Sequence, residues 1–448
     1  MPRDDIAQIG MTYGVLSREG VYDLKIIAKE YYDQQSELDK QKKWSHDRYL
    51  KYSSNAVGQV SSPNDSDFRD CSVWSINHYL GLNRHPYVIS KAKEVLDKYG
   101  TGCGTSAMSG GHCQLHKDLQ KRLAKIFSKE DALLFSTGFT ANSGAISALC
   151  KGSETFILID RESHASIIEG CKTSGSSFLP FKHNNLEDLE KKLKRYCGKY
   201  VNILVITESV YSMEGDIAPL KEIVALKKKY NFLLYVDEAH SFGFYGEKGA
   251  GVCNQLGIAQ DVDFIMTTLS KSTASIGGVI ATSKEFASFL RWSNAYLFQA
   301  AIPPVDAAVV DACLDLISND DNIIKSLWQK TKYLRDKLLE LGFDVGESSS
   351  PIVPVYIRDM QTLKQVEKEL FDSRIFVIAI YYPAVHKNAG RLRLIVNNSH
   401  EKKDLDDLIA ALNKLGKKYK FTSLPHDERN CTNNSAIHII TDRSKQHT

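Results

Sequence analysis

From about residue 130 the chain follows one regular pattern. Short apolar runs, at Ala132–Phe135, Thr155–Asp160, Val201–Thr207, Phe232–Asp237 and Phe264–Thr268, alternate with helical stretches at Gly138–Leu149, His164–Lys172, Leu186–Tyr196 and Pro219–Tyr230. Runs that are apolar throughout, rather than at every second residue, are those of strands covered on both faces. Strands alternating with helices through short connections predict an α/β domain on a mostly parallel sheet.

At 448 residues the chain is too long for one ordinary domain. Residues 1–74 read as a polar arm or small leading subdomain, with an amphipathic patch at Val21–Tyr32 and a loop-like Ser61–Asp67; residues 75–305 form the large domain. After Pro303-Pro304 one long helical pattern runs to Leu341, followed by strands near Ile352–Ile357, Ile375–Ile380 and Arg391–Val396 and a helix over Glu401–Tyr419. This makes 306–420 a smaller C-terminal α+β domain, and the polar stretch 421–448 a loosely held tail.

Composition excludes several partners. A net charge of +3, from 57 basic and 54 acidic residues, leaves no electrostatic footprint for nucleic acid. No apolar run reaches the roughly 18 residues of a membrane span, and Met1-Pro2-Arg3-Asp4-Asp5 lacks the build of a signal peptide. The nine cysteines are scattered without a CxxC pair, which fits reduced thiols, no zinc site and a cytoplasmic location.

Ligands of open α/β sheets gather outside the carboxyl ends of the strands, so the residues just past each run are the candidates for chemistry. The run Phe264–Thr268 leads to Leu269-Ser270-Lys271, and Gly277-Gly278 then opens a second apolar run. A long amine beside Thr268 and Ser270 suits a Schiff base to a phosphorylated aldehyde, although most lysines are solvated surface charges. The run Phe232–Asp237 ends in an aspartate able to pair with a cationic ring nitrogen or to cap the next turn. His240, three residues on, can turn back to the same pocket as a proton carrier.

Four further stretches qualify. His164, at a helix start, would stack on a flat ring or serve structure alone. Ser136-Thr137-Gly138-Phe139 enters a helix through small residues, as phosphate sites and plain helix caps both do. Ser212, in Tyr211–Asp216, follows another strand end. Arg391 and Arg393 alternate as strand residues on one face, where one could grip a carboxylate or both could be solvated. Five glycines between Gly100 and Gly111 suggest backbone held close to a ligand or a second chain.

These stretches together resemble the α-oxoamine synthase family of fold-type-I pyridoxal-phosphate enzymes, over roughly residues 75 to 415. The resemblance is carried by Asn77-His78-Tyr79-Leu80-Gly81-Leu82, Ser163-His164-Ala165-Ser166, Tyr211–Asp216, Val236-Asp237-Glu238-Ala239-His240, Thr268-Leu269-Ser270-Lys271 and Arg391-Leu392-Arg393-Leu394. It implies pyridoxal 5′-phosphate held by Lys271, with Asp237 on the pyridinium nitrogen and His164 stacked on the ring. It further implies His240 and Ser212 at the phenolic oxygen, with Thr137, Gly138, Phe139 and Thr268 around the phosphate. Arg393 would bind the substrate carboxylate.

The implied catalysts are Lys271, His164, Asp237 and His240, acting in a homodimer with interfacial sites and without a metal. The implied reaction condenses an amino acid with an acyl-CoA or other acyl thioester and releases CO2. Gly215–Lys221, Ser270-Lys271-Ser272 and His183–Leu189 are most similar to soluble bacterial serine palmitoyltransferases, which favours serine. Other α-oxoamine synthases, and an aminotransferase or aldolase of the same fold, are the alternatives. Two departures stand out: Ser106 occupies the place of the family's usual arginine, and Gln299-Ala300-Ala301 replaces a Ser or Thr contact to the partner's phosphate.

Overall fold

A computed structural model describes residues 16, 20–40, 47–62, 67–382, 384–386 and 388–422. The residues divide into two compact units, one of 77–328 and one of 1–76 with 329–448. The division at 328/329 falls inside the helix Asp321–Glu340, and the described residues before 77 group with those after 328.

Residues 49–73 are more than an arm. Strands β1 (Tyr49–Leu50), β2 (Val57–Ser61) and β3 (Arg69–Val73) form a sheet whose buried Val60, Cys71 and Val73 pack on Phe371 and Phe376. Strands of two to five residues with mixed burial leave little period to detect in sequence. The amphipathic patch is a helix, Leu24–Lys40. Most of the loop-like stretch, Pro63 to Ser66, lies outside the described residues, as do Met1–Asp5 and the tail from residue 423.

The unit of 77–328 carries the expected sheet. Its strands are β4 (Asp131–Phe135), β5 (Thr155–Asp160), β6 (Ser177–Phe181), β7 (Asn202–Glu208), β8 (Leu233–Asp237), β9 (Phe264–Thr268) and β10 (Gly278–Thr282). The order across the sheet is β4-β10-β9-β8-β7-β5-β6, with β10 antiparallel to both neighbours and the other pairs parallel. The carboxyl ends of β5, β7, β8 and β9 therefore share one edge. β5, β9 and β10 are buried along their whole length, as strands covered on both faces must be. The short edge strand β6 went unread although Phe178, Leu179 and Phe181 are apolar, because Pro180 interrupts the run as it does on edge strands and most of the strand is exposed.

Helix Gly138–Leu149 packs Ala141, Ala145 and Ile146 into the core with Leu133, Phe135, Ile157, Ile206, Tyr235 and Phe264. Each large side chain buried there contributes roughly 1.5–3 kcal/mol. Small residues let the layers close. A Cβ on Gly170 would lie 2.9 Å from Ile146 Cβ, and one on Gly144 would lie 2.2 Å from Ala295 Cβ.

The long helical pattern after Pro303 is two helices, Pro304–Asn319 and Asp321–Glu340. They part at Asp320, whose extended backbone lets its carboxylate accept from Asn322 N at 2.9 Å and start the second helix. In the other unit β11 (Ile352–Tyr356) pairs with β14 (Arg391–Ile395). The run Ile375–Ile380 breaks at Val377 into β12 (Ile375–Phe376), which joins β3, and β13 (Ile378–Ile380), which joins β14.

Candidate active site

Three residues past β9, Lys271 Nζ lies 2.7 Å from His240 Nε2. The strand's exit is fixed by Thr268, whose Oγ1 lies 2.8 Å from Ser270 Oγ and accepts from Ser270 N at 3.3 Å. His240 is fixed from its far side: Nδ1 meets the hydroxyl of the fully buried Tyr79 at 2.6 Å. The turn after β8 that carries His240 is tied down by Glu238, which accepts from Val252 N at 2.9 Å and Cys253 N at 2.7 Å. An imidazole whose Nδ1 faces a phenol turns Nε2 toward the amine, so Tyr79 sets which nitrogen faces Lys271.

Asp237 ends β8 and is 4% exposed. Its Oδ2 accepts from Asn142 Nδ2 at 2.8 Å and its Oδ1 from Ala239 N at 2.8 Å. Asn142 also donates to Ser166 Oγ at 2.9 Å and accepts from Tyr235 OH at 2.8 Å. Ser166 Oγ in turn meets His164 Nδ1 at 2.8 Å, and His164 N donates to Glu208 Oε1 at 2.6 Å. One buried asparagine thus connects the Asp237 carboxylate to the His164 ring. Burial pushes His164 below its ordinary value against the pull of Asp237, which leaves an uncharged ring near neutral pH. Burial, reinforced by the charge of Asp237, raises Glu208 well above the usual carboxylate range.

Thr137 caps helix Gly138–Leu149, accepting from Thr140 N at 3.0 Å. Its hydroxyl is thereby engaged in the helix, while the N–H groups of Gly138 and Phe139 fall in the first turn, which lacks intrahelical partners. A Cβ on Gly138 would stand 2.7 Å from Thr268 Cβ, so only glycine lets this helix start approach the end of β9. Backbone donors, a helix dipole and the Thr268 hydroxyl converge there, as an anion requires. The ring of Phe139, half-exposed, meets that of His164 edge-on at 6.5 Å.

Ser212 is half-buried in the loop after β7, which closes through Tyr211 N to Asp216 O at 3.1 Å. Arg393 belongs to the other compact unit, on β14 opposite Pro354 and Ile378. Its companion Arg391 is buried, donating from Nε to Ala389 O at 2.9 Å with its guanidinium 4.5 Å from the Tyr356 ring centre. Ser106 is buried, its Oγ 3.3 Å from Ser109 Oγ, and it bridges Ala300. Gln299 accepts from Ser136 N at 3.2 Å.

The structure therefore brings Lys271 and His240 into contact, links Asp237 to His164, and sets Gly138 against Thr268. Sequence reasoning overlooked Tyr79, Asn142, Ser166 and Glu208 as parts of the site. Asn142 carried a usable signal: it is a lone amide among Ala141, Gly144 and Ala145 on the buried face of a helix.

The site fits a phosphorylated pyridine aldehyde, with an amine for the aldehyde, a buried carboxylate for a ring cation and a helix start for the phosphate. The family profile of class I and II aminotransferases matches residues 69–412. The chain is 39% identical to an 8-amino-7-oxononanoate synthase of Thermoanaerobacter pseudethanolicus, over 77% of this chain and 87% of that protein. It is 40% identical to a serine palmitoyltransferase of Bacteroides thetaiotaomicron, over 79% of this chain and 88% of that one. A solved serine palmitoyltransferase with its pyridoxal phosphate as internal aldimine superposes with a TM-score of 0.83 at 29% identity, covering 89% of this chain and 100% of that one.

Proposed function

The chain belongs to the class I and II aminotransferase family, in its α-oxoamine synthase branch, and from that premise we propose a decarboxylating condensation of serine with an acyl thioester. The chain is a pyridoxal-phosphate-dependent acyltransferase. In the proposed reaction a small amino acid and an acyl-CoA give an α-amino ketone, CO2 and CoA. The observation that carries it is Lys271 Nζ at 2.7 Å from His240 Nε2, beside an Asp237 whose hydrogen-bond donors are neutral.

When bound, pyridoxal phosphate supplies an electron sink for the carbon that bears the substrate's carboxylate. Asp237 holds a proton on the ring nitrogen, and His164 offers the ring an uncharged face. Gly138 and Phe139, with Thr268, bind the phosphate at the helix start that Thr137 caps. His240 and Ser212 bind the phenolic oxygen, with the His240 ring oriented by Tyr79. Lys271 Nζ takes the proton from the amino acid's Cα, and Arg393 pairs with its carboxylate.

A homodimer belongs to the same proposal. Exposed Met108, Trp292 and Phe298, close in sequence to the bridged Ser106 and Ala300, leave apolar surface of the kind a second chain covers. Among the described residues no helix is long and apolar enough to cross a membrane, and a cytoplasmic site of action is proposed with the rest.

Purified protein given serine and palmitoyl-CoA is expected to release CO2 and free CoA together. Product formed without thioester would instead mark an aminotransferase or aldolase and overturn the proposal. The nearly equal identity to an 8-amino-7-oxononanoate synthase, 39% against 40%, favours a second reading, with a different amino acid and acyl group. Mass spectrometry of products over a panel of amino acids and acyl-CoAs separates the two. The cofactor's visible absorbance band is expected to vanish in Lys271→Ala.

A further inference from the structure

We propose that His183 is a positioning residue: it clasps the loop carrying Ser212 to the end of β5 and so sets Ser212 against the bound cofactor. The proposal rests on the reading above that Ser212 meets the cofactor's phenolic oxygen. His183 Nδ1 lies 2.9 Å from Asp160 Oδ1, at the carboxyl end of β5, and Nε2 lies 2.9 Å from Asp216 Oδ2, at the close of the 211–216 loop. Asn184 doubles both links, donating from its backbone N to Asp160 Oδ2 at 2.9 Å and from Nδ2 to Asp216 Oδ2 at 2.7 Å. It reaches both from a left-handed backbone (φ 50°), which asparagine tolerates better than most residues.

The clasp joins two segments that face the cofactor. Asp160 leads into the turn that delivers His164, and Asp216 closes the loop that delivers Ser212. The His183 ring also stands edge-on to the Tyr211 ring at 4.5 Å, so its plane is fixed by packing as well as by hydrogen bonds. Burial opposes charge on His183, but the hydrogen bonds and charges of Asp160 and Asp216 outweigh it and raise the group to about 10. The ring is therefore a cation shared between two carboxylates, and a neutral replacement loosens both.

A double-mutant cycle between His183→Gln and Ser212→Ala, on protein reconstituted with pyridoxal phosphate, tests this. The readouts are the position of the cofactor's absorbance band, its circular dichroism and its dissociation constant, with melting temperature recorded alongside. Each single variant is expected to shift the band and weaken cofactor binding about ten-fold, and the double variant to be no worse than the worse single. Additive losses, or a lowered melting temperature with an unshifted band, would overturn the clasp as a positioning device. An unshifted band in Ser212→Ala overturns it through its premise. If His183→Gln does not fold, Asp216→Asn enters the same cycle from the more exposed end. Wild-type protein lacking a band that Lys271→Ala removes would overturn the cofactor reading itself, a result distinct from failure of the clasp.

Discussion

Two aspartates end parallel strands of the same sheet and have opposite surroundings. Asp160, at the end of β5, is fully buried and lies against the His183 cation, with further bonds from the N–H groups of Asn184 and Glu162. Asp237, at the end of β8, is almost as buried, yet its donors among the described residues are neutral, the Asn142 amide and the Ala239 N–H. Among the described residues no ion pair reaches Asp237. A buried carboxylate without a counter-charge costs several kcal/mol, so a protein keeps one where a cation is to arrive. The nearby imidazoles repeat the contrast: His183 is raised to about 10, whereas burial pushes His164 down. On the proposed reading the same residue types hold a loop in one place and await a ligand in the other, and the difference lies in the partners.

The largest effect tests that division directly. Asp237→Asn keeps an acceptor for Asn142 Nδ2 but cannot neutralise a ring cation. It is expected to lower kcat about 10²- to 10³-fold with a nearly unchanged melting temperature. Asp160→Asn is expected to do the reverse, costing about 3 kcal/mol of stability by leaving the His183 cation short of a partner. Steady-state kinetics and urea unfolding of the two variants decide it. A stable, active Asp237→Asn would break the comparison.

How much of this the sequence allowed can be followed residue by residue. Lys271, Asp237, His240 and Gly138 stood at the ends of apolar runs, where a strand's polarity announces the ligand-binding edge. Helices Gly138–Leu149 and Leu186–Tyr196 were legible to their ends because a capping threonine or a capping asparagine marks each start. What escaped depends on contacts distant in the chain. Tyr79 reaches His240 across 161 residues, and Asn142 reaches Asp237 across 95. No local period records such pairs. The strands at 49–73 escaped because each is only two to five residues long with mixed burial, and the outer neighbour of β3, Ile375–Phe376, lies three hundred residues on.

The next effect is of intermediate size and falls on the asparagine that joins the two halves of the site. Asn142→Ala leaves Asp237 Oδ2, Ser166 Oγ and the Tyr235 hydroxyl short of a partner in a buried site, which is expected to cost about 1–3 kcal/mol. Asn142→Asp is expected to cost more, since it sets a second carboxylate against Asp237. Urea unfolding ranks the two. Equal losses would mean that the Asp237 pocket tolerates negative charge and is not prepared for a cation.

The smallest effect is a change with pH, and its sign separates the two histidines. His183, held between Asp160 and Asp216 with the Tyr211 ring at its edge, has a folded value of about 10 against an ordinary 6.5. It therefore binds its proton more tightly in the folded state. Its contribution is complete below pH 6.5 and is lost as pH rises through about 10. The melting-temperature gap between wild type and His183→Gln should be widest near pH 6 and close toward pH 10. Deprotonation of surface lysines affects both proteins and cancels in the gap. His164 is depressed by burial, with Asp237 opposing and Lys271 reinforcing the shift, so it favours the folded state least when acid protonates the unfolded chain. The gap between wild type and His164→Gln should accordingly shrink below pH 6.5 and stay level above it. Two gaps that close at the same end of the pH range would show that both imidazoles are paired alike, and the contrast between a carboxylate already matched and one held for a ligand would fail with them.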